Sequence, residues 1–383
     1  MRDWIDTYLK GDKIIWSIVI LLSVFSILVV YSATGTLAYK MANGNTEFYL
    51  LKHTFLVVLS LVAMWITHRI DYRYYSKICL MALWVSVPLL LYTWQFGVNI
   101  NEASRWITIP VLNQAFQPSD LAKLALIVTL ANMLSKKQHN IDDIKESLIP
   151  ILLWCGTICG LIALTNVSTA LLLFLTCMLI MFIGRVPLQY LAMLVIIGAL
   201  AGSIAMLVGQ RWETVISRVD IFIQGDEIPY QAEQSFIAIA NGGITGKGPG
   251  NSDQRTFLPH SYSDFIYSVV IEEYGLIGGL FVIVLYLMLL FRGMRAVISS
   301  QSAYGGLLSA GLSFALVLQA IVNIGVAVGL LPITGLTLPL ISMGGTSQLF
   351  TGIAIGIILS VSRQEFDEEQ NQLEEVKNVA VAA

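Results

Sequence analysis

GGITGKGPGNSDQRTFLPHSYSDFIYSVVIEEYG, the run Gly242–Gly275, joins the two kinds of segment from which the whole chain can be read. Its first half is a polar, glycine-rich loop carrying the cations Lys247 and Arg255. Its second half opens on Asp264 and continues as an apolar stretch to Phe291, longer than the roughly 20 residues a helix needs to cross a bilayer. Glu272 and Glu273 lie inside that stretch, where ionisable groups are costly enough to be candidates for function. Adjacent positions on a helix point to different faces, so the two acids make no metal chelate. They read first as architecture, buried and hydrogen-bonded to a neighbouring helix.

The rest of the chain has the same character. Of its 383 residues, 56% are hydrophobic and only 12% are charged, with a mean hydropathy of +0.75. Soluble domains carry about 25% charge, so this composition belongs to an integral membrane protein. Apolar runs near 14–33, 54–69, 78–96, 118–135, 148–166, 168–184, 188–208, 264–291, 305–328 and 343–361 predict an all-α polytopic fold of ten transmembrane helices. The pair at 148–184 is divided only by the polar break at Asn166–Thr169. Residues 1–363 form one membrane domain, and 364–383 an acidic, solvated tail. Ile14–Ser32 is too long for the core of a signal peptide. The cysteines, Cys79, Cys155, Cys159 and Cys177, all fall inside apolar runs and read as small core residues.

Ten spans place both termini on one side, and the positive-inside rule makes that side cytoplasmic. Lys40, Lys52, Arg105, Lys123, Arg211, Arg218, Lys247 and Arg255 then stand against the bias, mostly in two long outer segments, 97–117 and 209–263. The second is the large extracytoplasmic loop between helices 7 and 8, far longer than an ordinary connection. Cations held on the outer face suit an anionic ligand there.

Individual residues leave alternatives open. Asp264 is either a cap that favours the helix dipole or a partly desolvated general base. Asp120 and Lys123, three apart after Gln117-Pro118-Ser119, share a helix face and either fix helix packing or line a substrate cavity. Arg105 beside Trp106 is an interfacial anchor or a phosphate clamp. The run Gly246–Gly250 is no nucleotide loop, because neither Ser nor Thr follows Lys247, though its amides could still cradle a phosphate. Asn166-Val167-Ser168 matches a glycosylation sequon but lies between spans. The prolines and glycines of Gly329–Ser347 predict irregular backbone at the outer boundary, tolerated only where it packs on protein or lines a wet cavity.

Together these motifs resemble the SEDS family of membrane proteins, whose branches include FtsW, RodA and SpoVE. The resemblance rests on Arg105-Trp106-Ile107, Gln117-Pro118-Ser119, Tyr230-Gln231 with Gln234-Ser235, Gly242-Gly243 with Gly246-Lys247-Gly248, Ser263-Asp264-Phe265-Ile266, Glu272-Glu273, and the run from Leu331-Pro332-Ile333-Thr334-Gly335 to Gly344-Gly345-Thr346-Ser347. It is nearer the FtsW branch, partly through Tyr31-Ser32-Ala33. Three positions depart from the family pattern: Asp120 stands for a glutamate, Asn166–Thr169 for an Asp-x-Gly-Thr turn, and His260 for an acid.

The resemblance implies a glycosyltransferase of the bacterial inner membrane that polymerises lipid II on the outer face during cell division. It implies a class B penicillin-binding transpeptidase and other divisome membrane proteins as partners, a divalent cation (Mg or Mn), and no nucleic acid. Asp264 is then the catalytic acid or base. Arg105, Lys123, Asp120, Arg218, Lys247, Arg255, Gln234 and Ser342 are expected at the substrate. The rival readings are a lipid II flippase, a non-enzymatic divisome scaffold, and an elongation role in place of division.

Overall fold

A computed structural model of the chain describes residues 10–35, 37, 39, 45–100, 103–109, 114–138, 148–208, 212–224, 228–300 and 302–363. The acidic tail after Arg363 lies outside the described residues.

The first three helices are α1 (Lys13–Ala33), α2 (Thr46–Arg69) and α3 (Tyr72–Phe96). Each begins where an Asp or Asn accepts hydrogen bonds from first-turn amides: Asp12 from Ile14 and Ile15, Asn45 from Phe48, Asp71 from Arg73. A small antiparallel sheet follows, β1 (Val98–Ile100), β2 (Ala103–Ile109) and β3 (Gln114–Phe116), in the order β1-β2-β3. The sequence predicts only a loop there. Helices α4 (Pro118–Lys136), α5 (Ile149–Ala163), α6 (Val167–Ile183) and α7 (Leu188–Val208) come next. The break between α5 and α6 falls where the polar run predicts it, and Asn166 caps α6 by accepting from Thr169 N.

The segment expected as one long loop holds two helices, α8 (Trp212–Gln224) and α9 (Tyr230–Gly242), and a 3-10 turn at Gln254–Thr256. Then come α10 (Ile266–Ser299), α11 (Ala303–Ala327) and α12 (Thr346–Arg363). Among the described residues, α1, α2, α3, α10, α11 and α12 are long and apolar enough to cross a membrane, and α5, α6 and the first part of α7 are shorter apolar helices.

The centre of the bundle is α4 and α11. Both bury small and branched side chains around most of their girth, Ala122, Ala125, Ile127 and Ala131 on α4 and Leu308, Ala310, Leu312 and Ala320 on α11. α11 packs on α10, α4 and α6, α3 packs on α4, and α1 packs on α10 and α2. At the end of α10 distant from Asp264, Arg292 Nε donates to Asp12 Oδ2 at 2.5 Å and ties α10 to the cap of α1.

α10 is broken at Gly275, which sits at φ 69° and ψ −173°. A break strands carbonyls on one side and amides on the other, and in an apolar setting these must find partners. The glycine loop supplies them. Lys247 N and Gly248 N donate to the carbonyls of Glu272 and Glu273, both at 2.9 Å, while Leu276 N and Ile277 N donate to the carbonyls of Gly243 and Ile244 at 3.0 and 3.3 Å. A Cβ on Gly242, Gly246 or Gly275 would overlap the opposing backbone, so this docking admits only glycine at those three positions.

Candidate active site

Asp264 lies in the turn that runs into α10, two residues before its first helical position. The N-cap position is Phe265, with no side-chain capping bond of its own. The turn is held through its backbone. Ser263 N donates to the His260 carbonyl at 2.9 Å, and His260 takes a left-handed φ of 57° to make this bend. Met343 N donates to the Tyr262 carbonyl at 3.0 Å, Ser342 Oγ to the Ser263 carbonyl at 2.6 Å, and Asn323 Nδ2 to the Asp264 carbonyl at 2.7 Å. The half-buried carboxylate faces the irregular segment 328–345: a Cβ on Gly335 would stand 3.5 Å from its Oδ2. Burial first, and then the neighbouring Asp264 carboxylate, push the Tyr262 phenol above its ordinary range.

That segment is shaped by left-handed residues at Gly329, Gly335, Leu340 and Gly345. It is pinned to α11 by two amides that the sequence reading missed. Asn323, 1% exposed, donates its second Nδ2 proton to the Leu336 carbonyl at 2.6 Å, so one amide joins Asp264 to Leu336. Gln319 Nε2 donates to the Thr337 carbonyl at 2.8 Å. The available signal was two carboxamides four apart on one face of an apolar span. The segment is held on its other side by the Tyr286 hydroxyl, which donates to the Pro339 carbonyl.

Asp120 and Lys123 form an ion pair at 2.8 Å on the first turn of α4. The shorter acid therefore reaches its lysine. The pair lines a cleft, open at its mouth, between α4, α6, α11 and α12. Both residues stand in the wall of this cleft. Asp120 is 4% exposed and its Oδ2 has no hydrogen-bond partner. The cleft wall also includes Gln319, and Gln319 and Asn323 are about 6 Å apart along α11 at 1.5 Å per residue. One helical turn thus separates the cleft from the anchor of Asp264. The start of α4 is locked in place by Gln117 N, which donates to Thr346 Oγ1 at 3.2 Å.

The other expected residues divide. Arg218 comes to the site, its Nη1 donating to the Ile333 carbonyl at 3.1 Å. Ser342 also reaches it, but as a brace: its hydroxyl donates to Ser263 and accepts from Leu338 N at 2.8 Å. Lys247 is engaged elsewhere, with Asp253 at 2.8 Å and Glu272 at 3.3 Å. Its bond to Asp253 raises the ammonium above its ordinary value and lowers the carboxyl of Asp253. The amides of Lys247 and Gly248, offered above as a phosphate cradle, are used by the broken helix. Arg255 Nη1 donates to Ser32 Oγ at 3.0 Å, and Ser32 in turn donates to Glu273. Glu272 accepts from Ser252 Oγ and from the amides of Asp253 and Gln254, so Glu273 meets a neighbouring helix as expected while Glu272 is bonded to the loop instead. Gln234 is half-buried on α9 beside Ser235, whose hydroxyl donates to the Ala327 carbonyl at 2.7 Å. Arg105 is in β2, and its side chain lies outside the described residues.

Among the described residues no group of three or more His, Cys, Asp or Glu could hold a metal ion. The donors among the described residues form no protein cage for the divalent cation that the resemblance implies.

Comparison with known proteins agrees with this architecture. The profile of the family described as "Cell cycle protein", FTSW_RODA_SPOVE, matches residues 12–367. The chain is 35% identical over 359 residues to a protein of Geobacter metallireducens named "Probable peptidoglycan glycosyltransferase FtsW", covering 92% of this chain and 95% of that one. It is 31% identical to the "Stage V sporulation protein E" of Bacillus subtilis, covering 92% and 97%. A chain from the structure described as "Structural coordination of polymerization and crosslinking by a peptidoglycan synthase complex" superposes with a TM-score of 0.72 at 25% identity, over 93% of this chain and 98% of that one. The crystal structure of the Thermus thermophilus rod shape determining protein RodA shares the fold, with a TM-score of 0.69 at 23% identity over 94% and 99%. The chain belongs to the FtsW/RodA/SpoVE family of cell-cycle proteins.

Proposed function

We propose that this chain is a peptidoglycan glycosyltransferase that polymerises lipid II at the outer face of the bacterial cytoplasmic membrane, in septal wall synthesis. The observation that carries the reading is the placement of one acid. Asp264 is half-buried, held by its backbone, and one helical turn of α11 from a cleft bearing the Asp120–Lys123 pair. Its relatives' names supply the reaction class. In this reading the chain makes ten spans with both termini cytoplasmic, and α8, α9 and the glycine loop lie outside the cell. A class B penicillin-binding transpeptidase crosslinks the product and other divisome membrane proteins recruit the chain, as suits its likeness to a chain of a peptidoglycan synthase complex.

Polymerisation requires a sugar hydroxyl of one lipid-linked unit to attack the anomeric carbon of another and expel a lipid pyrophosphate. Asp264 takes the proton from the attacking hydroxyl as the new C–O bond forms and the bond to the pyrophosphate breaks. Lys123 in the cleft and Arg218 beside Ile333 are placed to offset the negative charge that develops on the leaving group. A single displacement inverts the donor linkage and needs one base. Removing a general base lowers rate by about 10²–10⁴-fold, so Asp264→Asn should yield no measurable polymer from labelled lipid II with the transpeptidase present. Wild-type polymer made by that variant refutes the assignment.

A further inference from the structure

The interface between α1 and α2 contains a polar relay that the mechanism above does not use. His53, on α2, has no exposed surface, and its Nε2 lies 2.8 Å from Ser26 Oγ on α1. The same hydroxyl lies 2.8 Å from the carbonyl of Ile341, in the irregular segment that faces Asp264. A carbonyl only accepts and a hydroxyl has one proton to give. Ser26 therefore donates to Ile341 and accepts from His53, which must carry its proton on Nε2. The other ring nitrogen, Nδ1, is buried with no hydrogen-bond partner. An orphaned buried acceptor is a cost that an apolar side chain of similar size would not incur.

What the relay holds explains why such a group sits there. The residue after Ile341 is Ser342, which has likewise one proton and gives it to the Ser263 carbonyl, next to Asp264. Its lone pair accepts from Leu338 N. The donors thus run one way, from His53 through Ser26 to Ile341, and from Ser342 to the turn that carries Asp264. Reversing any one proton would set two acceptors or two donors against each other. α2 has a second anchor, Ser60 Oγ donating to the Gln348 carbonyl at 2.7 Å, so His53 is not what keeps α2 in the bundle.

We infer that His53 is a positioning residue for the polymerisation reaction: through Ser26 it fixes the Ile341–Ser342 peptide, and with it the turn that aims the Asp264 carboxylate. The inference rests on the polymerase reading above.

The test uses the full chain with its transpeptidase and labelled lipid II. His53→Leu and Ser26→Ala should each lower kcat by about ten- to a hundredfold with little change in KM, since small misplacements of a catalytic group act on rate. The double variant should be no slower than the worse single one, because both break one relay. His53→Gln, whose Nε2–H reaches as the imidazole Nε2–H does, should restore most of the rate. In parallel, hydrogen exchange at the amides of Leu338 and Met343 should quicken in His53→Leu and not in His53→Gln. A wild-type rate in His53→Leu, additive losses in the double variant, or a folded His53→Gln as slow as His53→Leu would each overturn the inference. If the wild-type chain makes no polymer, the polymerase reading falls separately. Exchange at Leu338 then decides alone: unchanged protection in His53→Leu refutes the positioning role.

Discussion

Asn323→Asp is the substitution that most directly tests how Asp264 is held. The new side chain has the same shape but replaces an amide that donates at 2.7 and 2.6 Å by an oxygen facing two carbonyls. Both donated bonds are lost, and the Asp264 and Leu336 carbonyls are left without them. Each orphaned buried acceptor costs about 1–3 kcal/mol, so the local penalty is about 2–6 kcal/mol before relaxation. A protonated aspartate returns one donor and halves that range. Global unfolding should register less than the local sum, because the turn can move toward solvent and rehydrate its carbonyls. That same movement displaces the carboxylate, and a shift of about 1 Å can cost about 10²-fold in rate. Polymerisation of labelled lipid II should therefore fall by about a hundredfold in kcat, while the detergent-solubilised protein still melts cooperatively. Asn323→Gln, too long to keep both bonds, should lie between. A folded Asn323→Asp that polymerises at the wild-type rate would show that Asp264 does not depend on this bridge.

Further tests address the cleft, the glycine dock and the outer loop. Lys123→Met leaves Asp120 buried beside no cation, a change that costs about 3–5 kcal/mol for a buried pair. Its melting temperature should drop and its KM for lipid II rise, and adding Asp120→Asn should recover the first and not the second. Gly246→Ala must overlap the Glu273 carbonyl and should prevent stable folding, whereas Gly250→Ala, also left-handed but with open space, should lose only about 1–2 kcal/mol. Their melting curves separate a steric requirement from a backbone preference. The Lys247–Asp253 bond lowers the Asp253 carboxyl, so its contribution is present above the ordinary value of 3.8 and fades as pH falls through the lowered one. It raises the Lys247 ammonium, so that contribution is present below 10.5 and fades as pH climbs past it. Proteolytic protection of the 243–265 loop should be flat through neutral pH and weaken in acid, and a change near pH 7 would contradict this assignment.

The spans were legible because membrane burial imposes a one-dimensional signal: about 20 apolar residues in a row. Even the slight break at Asn166 could be read, since an Asn that can cap the next helix is a local device. What lay hidden is non-local. The sequence shows glycines at 242, 246 and 275 and lysine at 247, and suggests a phosphate loop. Nothing local reveals that Gly275 breaks a helix whose stranded groups those glycines must reach. Lys247 and Arg255 were read as ligands for an anion because cations on an outer face need one. In the fold they neutralise Glu272 or brace Ser32 and Glu273 instead. The small sheet at 98–116 and the helices α8 and α9 were missed for a related reason. They lack the long apolar runs by which the spans were found.

The way Asp264 is fixed also bears on how a carboxylate can change its protonation state in place. Contacts to the carbonyls of Tyr262, Ser263 and Asp264 come from Met343, Ser342 and Asn323, all on the irregular segment or on α11. These bonds are made by the backbone and do not change when the side chain gains or loses a proton. The arrangement here separates the position of the main chain from the charge of the side chain: the polypeptide is clamped on three successive carbonyls, and the carboxylate faces Gly335, a Cβ on which would stand 3.5 Å from its Oδ2. On this argument Gly335→Ala should be more harmful to turnover than to folding. Its Cβ would come within ordinary contact of Oδ2 at 3.5 Å, and the left-handed φ of 68° adds about 1–2 kcal/mol of backbone strain. Measured side by side, a melting temperature lowered in proportion to that strain together with a much larger loss of kcat would support the separation. Equal losses in both would show that the segment serves only to hold the fold.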